Sequence, residues 1–208
     1  MKLRFAFLLL GSIILAVVDP SGNVFADTPA VETIVMVRHG EKPAQGLGQL
    51  DCQGLNRALA LPAVIERMFG RPTAIFAPNP SVQKIDQGVA YDYVRPLATI
   101  EPTAIAAGLP VDASIGLTDI ATLKTRLEDA KFQSSFVLAG WEHVQIVQLA
   151  RAIMSDFAGD PDSVPQWKGN DFDGTYVIRI TRGGGAVTAA FERREEGLNN
   201  ASTVCSGR

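Results

Sequence analysis

Histidine and cysteine are scarce in this chain, two of each among 208 residues. Cys52 and Cys205 stand far apart, with no Cys-x-x-Cys pair and no Cys/His cluster, which speaks against a structural zinc site. Nor is there an excess of positive charge: 19 Lys and Arg face 22 Asp and Glu, a net charge of −3. Residues 1–26 contribute +1 of this through Lys2, Arg4 and Asp19, leaving −4 for the remainder. A mildly acidic body argues against nucleic acid as the main partner, so an anionic ligand has to be drawn in by local arginines. Long apolar runs are also lacking. The longest, Phe5 to Val18 with Gly11 and Ser12 inside it, is shorter than the ~20 residues of a membrane span. There is no internal repeat and no low-complexity tract. What is present is ordinary globular composition, 47% hydrophobic and 20% charged, enough for one domain with a full core.

Residues 1–26 read as a signal peptide. Lys2 and Arg4 form a basic start, the apolar run follows, and Val24-Phe25-Ala26 puts small residues at −3 and −1 of a cut before Asp27. The expectation is an exported protein, periplasmic or secreted, with no membrane association after cleavage and a single domain over 27–208. An oxidising compartment permits a Cys52–Cys205 disulfide, which would tie the C-terminal tail near the first helix; two free thiols are the alternative.

The stretch that organises the rest is Ile34-Val35-Met36-Val37-Arg38-His39-Gly40-Glu41-Lys42-Pro43. Four apolar residues, mostly β-branched, read as a buried parallel strand, ended by Gly40 and Pro43. Arg38 and His39 thus sit at the C-terminal rim of a strand, where open α/β sheets place ligands. A guanidinium and an imidazole side by side there suit an anionic substrate and a nucleophilic or acid–base histidine. This stretch resembles the signature of the histidine phosphatase superfamily, the phosphoglycerate-mutase-like proteins. That family carries Arg-His-Gly at the end of its first strand, and its His is transiently phosphorylated.

Further segments extend the resemblance over nearly the whole of 27–208. Residues 44–53 read as a loop, and from Gly54 the pattern is helical, with Pro62 opening another turn. Asp51-x-x-Gly54-x-x-Arg57-Ala58 is similar to the family's first helix, whose Arg reaches the phosphate pocket in some members. For Arg57 the alternative is a solvent-facing helix residue. Thr73 to Ala77 is a second strand, and a long polar connection follows to Val94, holding Lys84, Tyr91 and Tyr93. Arg95-Pro96-Leu97-Ala98-Thr99-Ile100 then resembles the family's Arg-x-x-x-Thr-Ala segment. Ile100 replaces the usual Ala, and the usual Ser-Pro lead-in is absent. The resemblance implies that Arg95 binds phosphate, a task its bidentate fork suits; otherwise it faces solvent at a helix start. Thr118 or Asp119 caps a helix carrying Ile120, Leu123 and Leu127.

Ser135 to Ala139 is a further buried strand, ending in Gly140-Trp141-Glu142-His143 before an amphipathic helix that Gly159 and Pro161 stop. Both histidines therefore lie at strand-to-helix turns. If these two strands are neighbours, both imidazoles face one pocket, as the family's second His does. Residues 158–174 read as a long loop, either a wall of the pocket or plain surface. Thr175–Ile180 and Ala186–Phe191 read as a hairpin across Gly183-Gly184-Gly185.

Strands alternating with helices and closing in a hairpin predict an α/β domain. The expected architecture is a three-layer α/β/α sandwich with a mostly parallel sheet and an antiparallel edge. The resemblance implies hydrolysis of a small-molecule phosphate ester through a phosphohistidine on His39. Arg38, Arg95 and His143, with Arg57, would hold the phosphoryl oxygens, and no metal or other cofactor is needed. A general acid must protonate the leaving alcohol. Acid-phosphatase-like members carry Asp after the second His, where this chain has Val144. Glu142 is the candidate acid, with Glu41 and Asp119 behind it; a Glu that only orients His143 is the alternative. A non-catalytic exported protein that binds a phosphorylated or other anionic ligand is the competing function.

Overall fold

Residues 28–206 are described by a computed structural model; the signal-peptide expectation for 1–26 lies outside them. Strand β1 (Ala30–Arg38) is followed by helix α1 (Cys52–Phe69) and β2 (Ala74–Pro78). A small hairpin of β3 (Lys84–Asp86) and β4 (Val89–Tyr91) leads to α2 (Arg95–Ala107), β5 (Val111–Ile115) and α3 (Ile120–Leu127). Strand β6 (Phe136–Trp141) and helix α4 (His143–Asp156) precede the closing hairpin of β7 (Gly174–Gly183) and β8 (Ala186–Glu195). The six-stranded sheet has the order β5-β2-β6-β1-β7-β8. Its first four strands are parallel and its last two antiparallel. This is the expected three-layer arrangement, and no helix among the described residues is long and apolar enough to cross a membrane.

Local chemistry accounts for the elements. Ile34 to Val37 are all fully buried, because β1 is covered on both faces. Alternate residues divide between two cores. Ile34 and Met36 join Val137, Trp141, Leu149 and Ile153 on the α3/α4 side; Val35 and Val37 join Leu61, Ile65, Ile100 and Leu138 on the α1/α2 side. Burying each such side chain contributes about 1.5–3 kcal/mol. Asp51 caps α1 by accepting from the Gly54 N–H at 2.8 Å, and Asp119 caps α3 through the Thr122 N–H. Gly184 and Gly185 both take positive φ in the two-residue turn between β7 and β8, the conformation that matches strand twist in a tight hairpin.

Three expectations need correction. Pro62 does not divide the first helix: α1 runs unbroken for 18 residues with Pro62 inside it. Its two apolar flanks, Leu61 and Ile65, are clamped in the core, which outweighs one missing backbone hydrogen bond. The connection 78–94 is not featureless, since it contains the β3–β4 hairpin. The turn Gln87-Gly88 has positive φ at both residues, so Gly88 between Ile85 and Val89 was the signal.

Arg57 is the third. It neither faces solvent nor points to a phosphate pocket. It is 0% exposed, and each of its nitrogens meets a carboxylate: Nε and Nη2 donate to Glu41 at 3.0 and 2.7 Å, and Nη1 donates to Asp173 at 3.0 Å and Glu196 at 2.8 Å. This buried cluster joins the loop after β1, helix α1, the start of β7 and the chain after β8. Asp173 also accepts the N–H groups of Gly197 and Leu198. The tail is held further by the Cys52–Cys205 disulfide and by Asn56 donating to Ser202 and Val204 carbonyls at 2.7 Å.

Gly40 and Gly54 make the approach of the β1 loop to α1 possible. A Cβ on Gly40 would lie 2.9 Å from the Gly54 Cα, and one on Gly54 would collide with the Glu41 backbone. Gly54→Ala is therefore expected to lower stability by about 2–3 kcal/mol in urea denaturation, an overpacking cost.

The Arg57 cluster predicts a pH effect. Burial pushes the Glu196 carboxyl up to about 8, against the pull of Arg57. Between the ordinary value of 4.5 and 8 the folded chain holds a proton that the unfolded chain has released. This group's contribution is full below 4.5 and is lost as pH rises through 8. Glu196→Gln should remove that dependence, so the variant gains on wild type as pH rises, and urea titrations from about pH 5 to about pH 9 read the difference.

Candidate functional site

The site is built by register. β1 and β6 run parallel with Arg38 opposite Trp141, and the His39 N–H donates to the Trp141 carbonyl at 3.0 Å. The residues after each strand, His39 on one and Glu142-His143 on the other, are thereby brought to one rim. The condition set by the sequence, that these strands be neighbours, is met.

His39 is 3% exposed. Its Nδ1 lies 2.8 Å from the Gly40 carbonyl oxygen, an acceptor only, so Nδ1 carries the proton and Nε2 is left with its lone pair. Burial, partly opposed by that hydrogen bond and reinforced by Arg95 and Arg38, lowers the His39 pKa to about 3. The ring is neutral at any ordinary pH. The loop itself is anchored by the Gly40 N–H donating to Thr99 Oγ1 at 2.9 Å, whose hydroxyl donates to the Arg95 carbonyl at 2.8 Å.

Two aromatic rings flank His39, each with a guanidinium against it. Tyr93 meets the imidazole edge-on at 5.9 Å between centroids, and Phe172 lies at 6.1 Å. The Arg95 Cζ is 4.7 Å from the Tyr93 centroid, and the Arg38 Cζ is 3.9 Å from that of Phe172. Arg38, 5% exposed, donates from Nη1 to the carbonyls of Gly169 at 2.9 Å and Asp171 at 2.7 Å. The loop 158–174 is thus a wall of this site, with Phe172 as its inner face. Arg95, 2% exposed, opens α2 with its side chain inward, not to solvent. Its Nη1 donates to Asp86 at 2.5 Å. The Nε atoms of Arg38 and Arg95 are buried with no hydrogen-bond partner among the described residues.

Glu142 does not have the properties of a general acid. It is the N-cap of α4, accepting from the Val144 and Gln145 N–H groups at 3.1 and 3.4 Å. Its Oε1 lies 2.8 Å from His143 Nδ1 and 3.7 Å from Lys84 Nζ. The His143 contact is close in distance but not aligned as a hydrogen bond. Burial raises the Glu142 pKa, but His143, Lys84 and the capping N–H groups overcome it and bring it to about 2. An ionised carboxylate at this place lies against His143 and holds its ring in position; it has no proton to give. The other two candidates are occupied as well, Glu41 by Arg57 and Asp119 by its helix cap.

The structure brings together Arg38, His39, Arg95, Glu142 and His143, and leaves out Arg57. Sequence reading missed Asp86, Lys42, Tyr93 and Phe172. Asp86 bridges Lys42 at 2.7 Å and Arg95, so the β3–β4 hairpin reaches over the site. Burial raises the Asp86 pKa, but Lys42 and Arg95 hold it below the usual carboxylate range. None of these four has a local signal, because each acts through a contact distant in sequence or across a loop.

No family model matches the sequence, and no curated protein does. Solved structures do match. A candidate phosphohistidine phosphatase, SixA, from Nakamurella multipartitia aligns at 14% identity over 79% of this chain and 96% of its own, with a TM-score of 0.53. A mycobacterial glucosyl-3-phosphoglycerate phosphatase in complex with inorganic phosphate aligns at 14% identity over 77% and 95%, with a TM-score of 0.55. A phosphoglycerate mutase from Plasmodium falciparum aligns at 12% identity over 81% and 92%, with a TM-score of 0.50. At such identities the likeness is one of fold, and by its fold this chain is phosphoglycerate-mutase-like.

Proposed function

We propose that this chain is a phosphomonoester hydrolase acting through a phosphohistidine on His39. The observation that carries the reading is a neutral imidazole whose Nε2 lone pair is unprotonated, with two buried guanidiniums beside it and a second histidine just past the end of the neighbouring strand. Attack of Nε2 on phosphorus transfers the phosphoryl group, and water then cleaves the P–N bond. Arg38, Arg95 and His143 stabilise the phosphoryl oxygens, which is most of what such catalysis requires. Two unpartnered Nε atoms supply donors that need no prior bond broken. Arg95 Nη1, in contrast, becomes available only when Asp86 gives way.

An ester reaches His39 only if the covering segments move, since Arg38, His39 and Arg95 are all nearly inaccessible. The β3–β4 hairpin, bound by Asp86 and Lys84, and the 158–174 wall, bound by Arg38, are the segments that shield them. Export to an oxidising compartment is part of the proposal, supported by the Cys52–Cys205 disulfide and by the leader-like residues 1–26. The chemistry needs no metal.

The test is phosphate release from a panel of phosphomonoesters by the wild-type chain beside His39→Ala. The wild type should turn over at least one ester, and the variant should lose it by about 10⁴-fold or more, as for removal of a nucleophile. Quenched wild type should carry an acid-labile phosphoryl label on His39. No turnover of any ester from acid to neutral pH would favour the anion-binding alternative.

The charge state of His39 is checked separately. With its pKa near 3, its ring carbon-bound protons should not titrate in NMR spectra between about pH 8 and about pH 5. A titration centred near the ordinary 6.5 would contradict the buried, neutral nucleophile.

A further inference from the structure

The site as described lacks a proton donor for the leaving alcohol. Glu142 and Asp86 are held ionised by neighbouring cations, Glu41 is bound by Arg57, and Asp119 caps α3. One O–H group in the site is still without a task. Tyr93, 1% exposed, stands two residues before Arg95, with its backbone N–H fixed to the Pro80 carbonyl at 2.8 Å. Its ring is wedged between His39, Arg95 and Lys84, with Lys84 Nζ 5.1 Å from the centroid. Its hydroxyl is buried and makes no hydrogen bond among the described residues.

That arrangement is unusual on stability grounds. A buried hydroxyl without a partner destabilises the fold, and Phe would fill the same space without that cost. The ring belongs to the edge of the core, but its contacts with His39, Arg95 and Lys84 place it at the border between that core and the site. A group kept polar, unpaired and facing a binding space is one whose partner arrives with the ligand.

Resting on the phosphohistidine reading above, we propose that Tyr93 is a catalytic residue whose hydroxyl protonates the oxygen of the departing alcohol. The step balances. His39 Nε2 forms a bond to phosphorus as the P–O bond to the alcohol breaks, and the electron pair of that bond takes the Tyr93 proton. The alcohol leaves neutral, and a tyrosinate remains, stabilised by Arg38 and Arg95. In the second step water attacks phosphorus, its proton returns to Tyr93, and the P–N bond breaks to restore neutral His39. Burial raises the Tyr93 pKa, with the two arginines opposing it, so the group enters the cycle protonated. An aliphatic alcohol is a still weaker acid, so transfer to its developing alkoxide is favourable.

The experiment compares wild type and Tyr93→Phe on two esters that differ in leaving group, an alkyl phosphate such as glycerol phosphate and p-nitrophenyl phosphate. Nitrophenolate departs without a proton, whereas an alkoxide does not. We expect kcat for the alkyl ester to fall by about 10²–10³-fold and that for the aryl ester to change by no more than about threefold, a size too small for a lost acid. The thermal midpoint should be unchanged or raised, because the lost hydroxyl had no partner. An equal loss on both esters would overturn the proposal and make Tyr93 a phosphoryl-binding or packing residue. No loss on the alkyl ester would overturn it too. Wild type inactive on every ester would remove the phosphatase reading and this one with it; an active wild type with an indifferent Tyr93→Phe removes this one alone.

Discussion

The parallel pairing of β1 with β6 is the constraint on which the site depends. It sets the carboxyl ends of two strands level, so that His39 and His143, 104 positions apart in sequence, share one rim. Everything else positions or charges what that register has already brought together. The pairing is secure because the strands are central in the sheet and apolar on both faces. A slip of one residue would exchange the two cores.

Most of the buried charge in this protein gathers in two clusters of opposite balance. At the site, burial lowers the His39 pKa, with Arg95 and Arg38 reinforcing it, and guanidinium nitrogens are left unpartnered among the described residues. A short distance along the same loop the balance reverses. Arg57 is outnumbered by Glu41, Asp173 and Glu196, and burial, with the neighbouring carboxylates adding to it, raises the Glu196 pKa. One cluster keeps unpartnered donors, and the other is closed on itself and fastens loop, helix and tail. Both grow from the same few residues, since Glu41 follows His39 by two positions.

Asp86 and Glu142 are acidic residues of the site that have no proton to donate. Each is held ionised by neighbouring cations, Lys42 and Arg95 for Asp86, and His143 and Lys84 for Glu142. Asp86 holds Arg95 in place; Glu142 caps α4 and lies against His143. The donor role then falls on a neutral group, and Tyr93 is the buried hydroxyl that meets the description.

The order of strands and helices, the layer architecture and the placement of both histidines at strand ends were legible in the sequence, because apolar periodicity, caps and turn residues are local. The Ile34–Val37 run and the Gly183–Gly185 turn each state their structure within a few residues. What tertiary structure decided is which side chains share a space. Arg57 and Arg95 both stand on helices in family-like context, yet one is buried in a carboxylate cage and the other faces His39. Glu142 reads as a donor until its cap and its cationic neighbours are seen. Cys52 and Cys205 are bonded, where the sequence allowed bond or thiols alike. These outcomes depend on burial and on neighbours supplied by distant segments, and no local pattern encodes either.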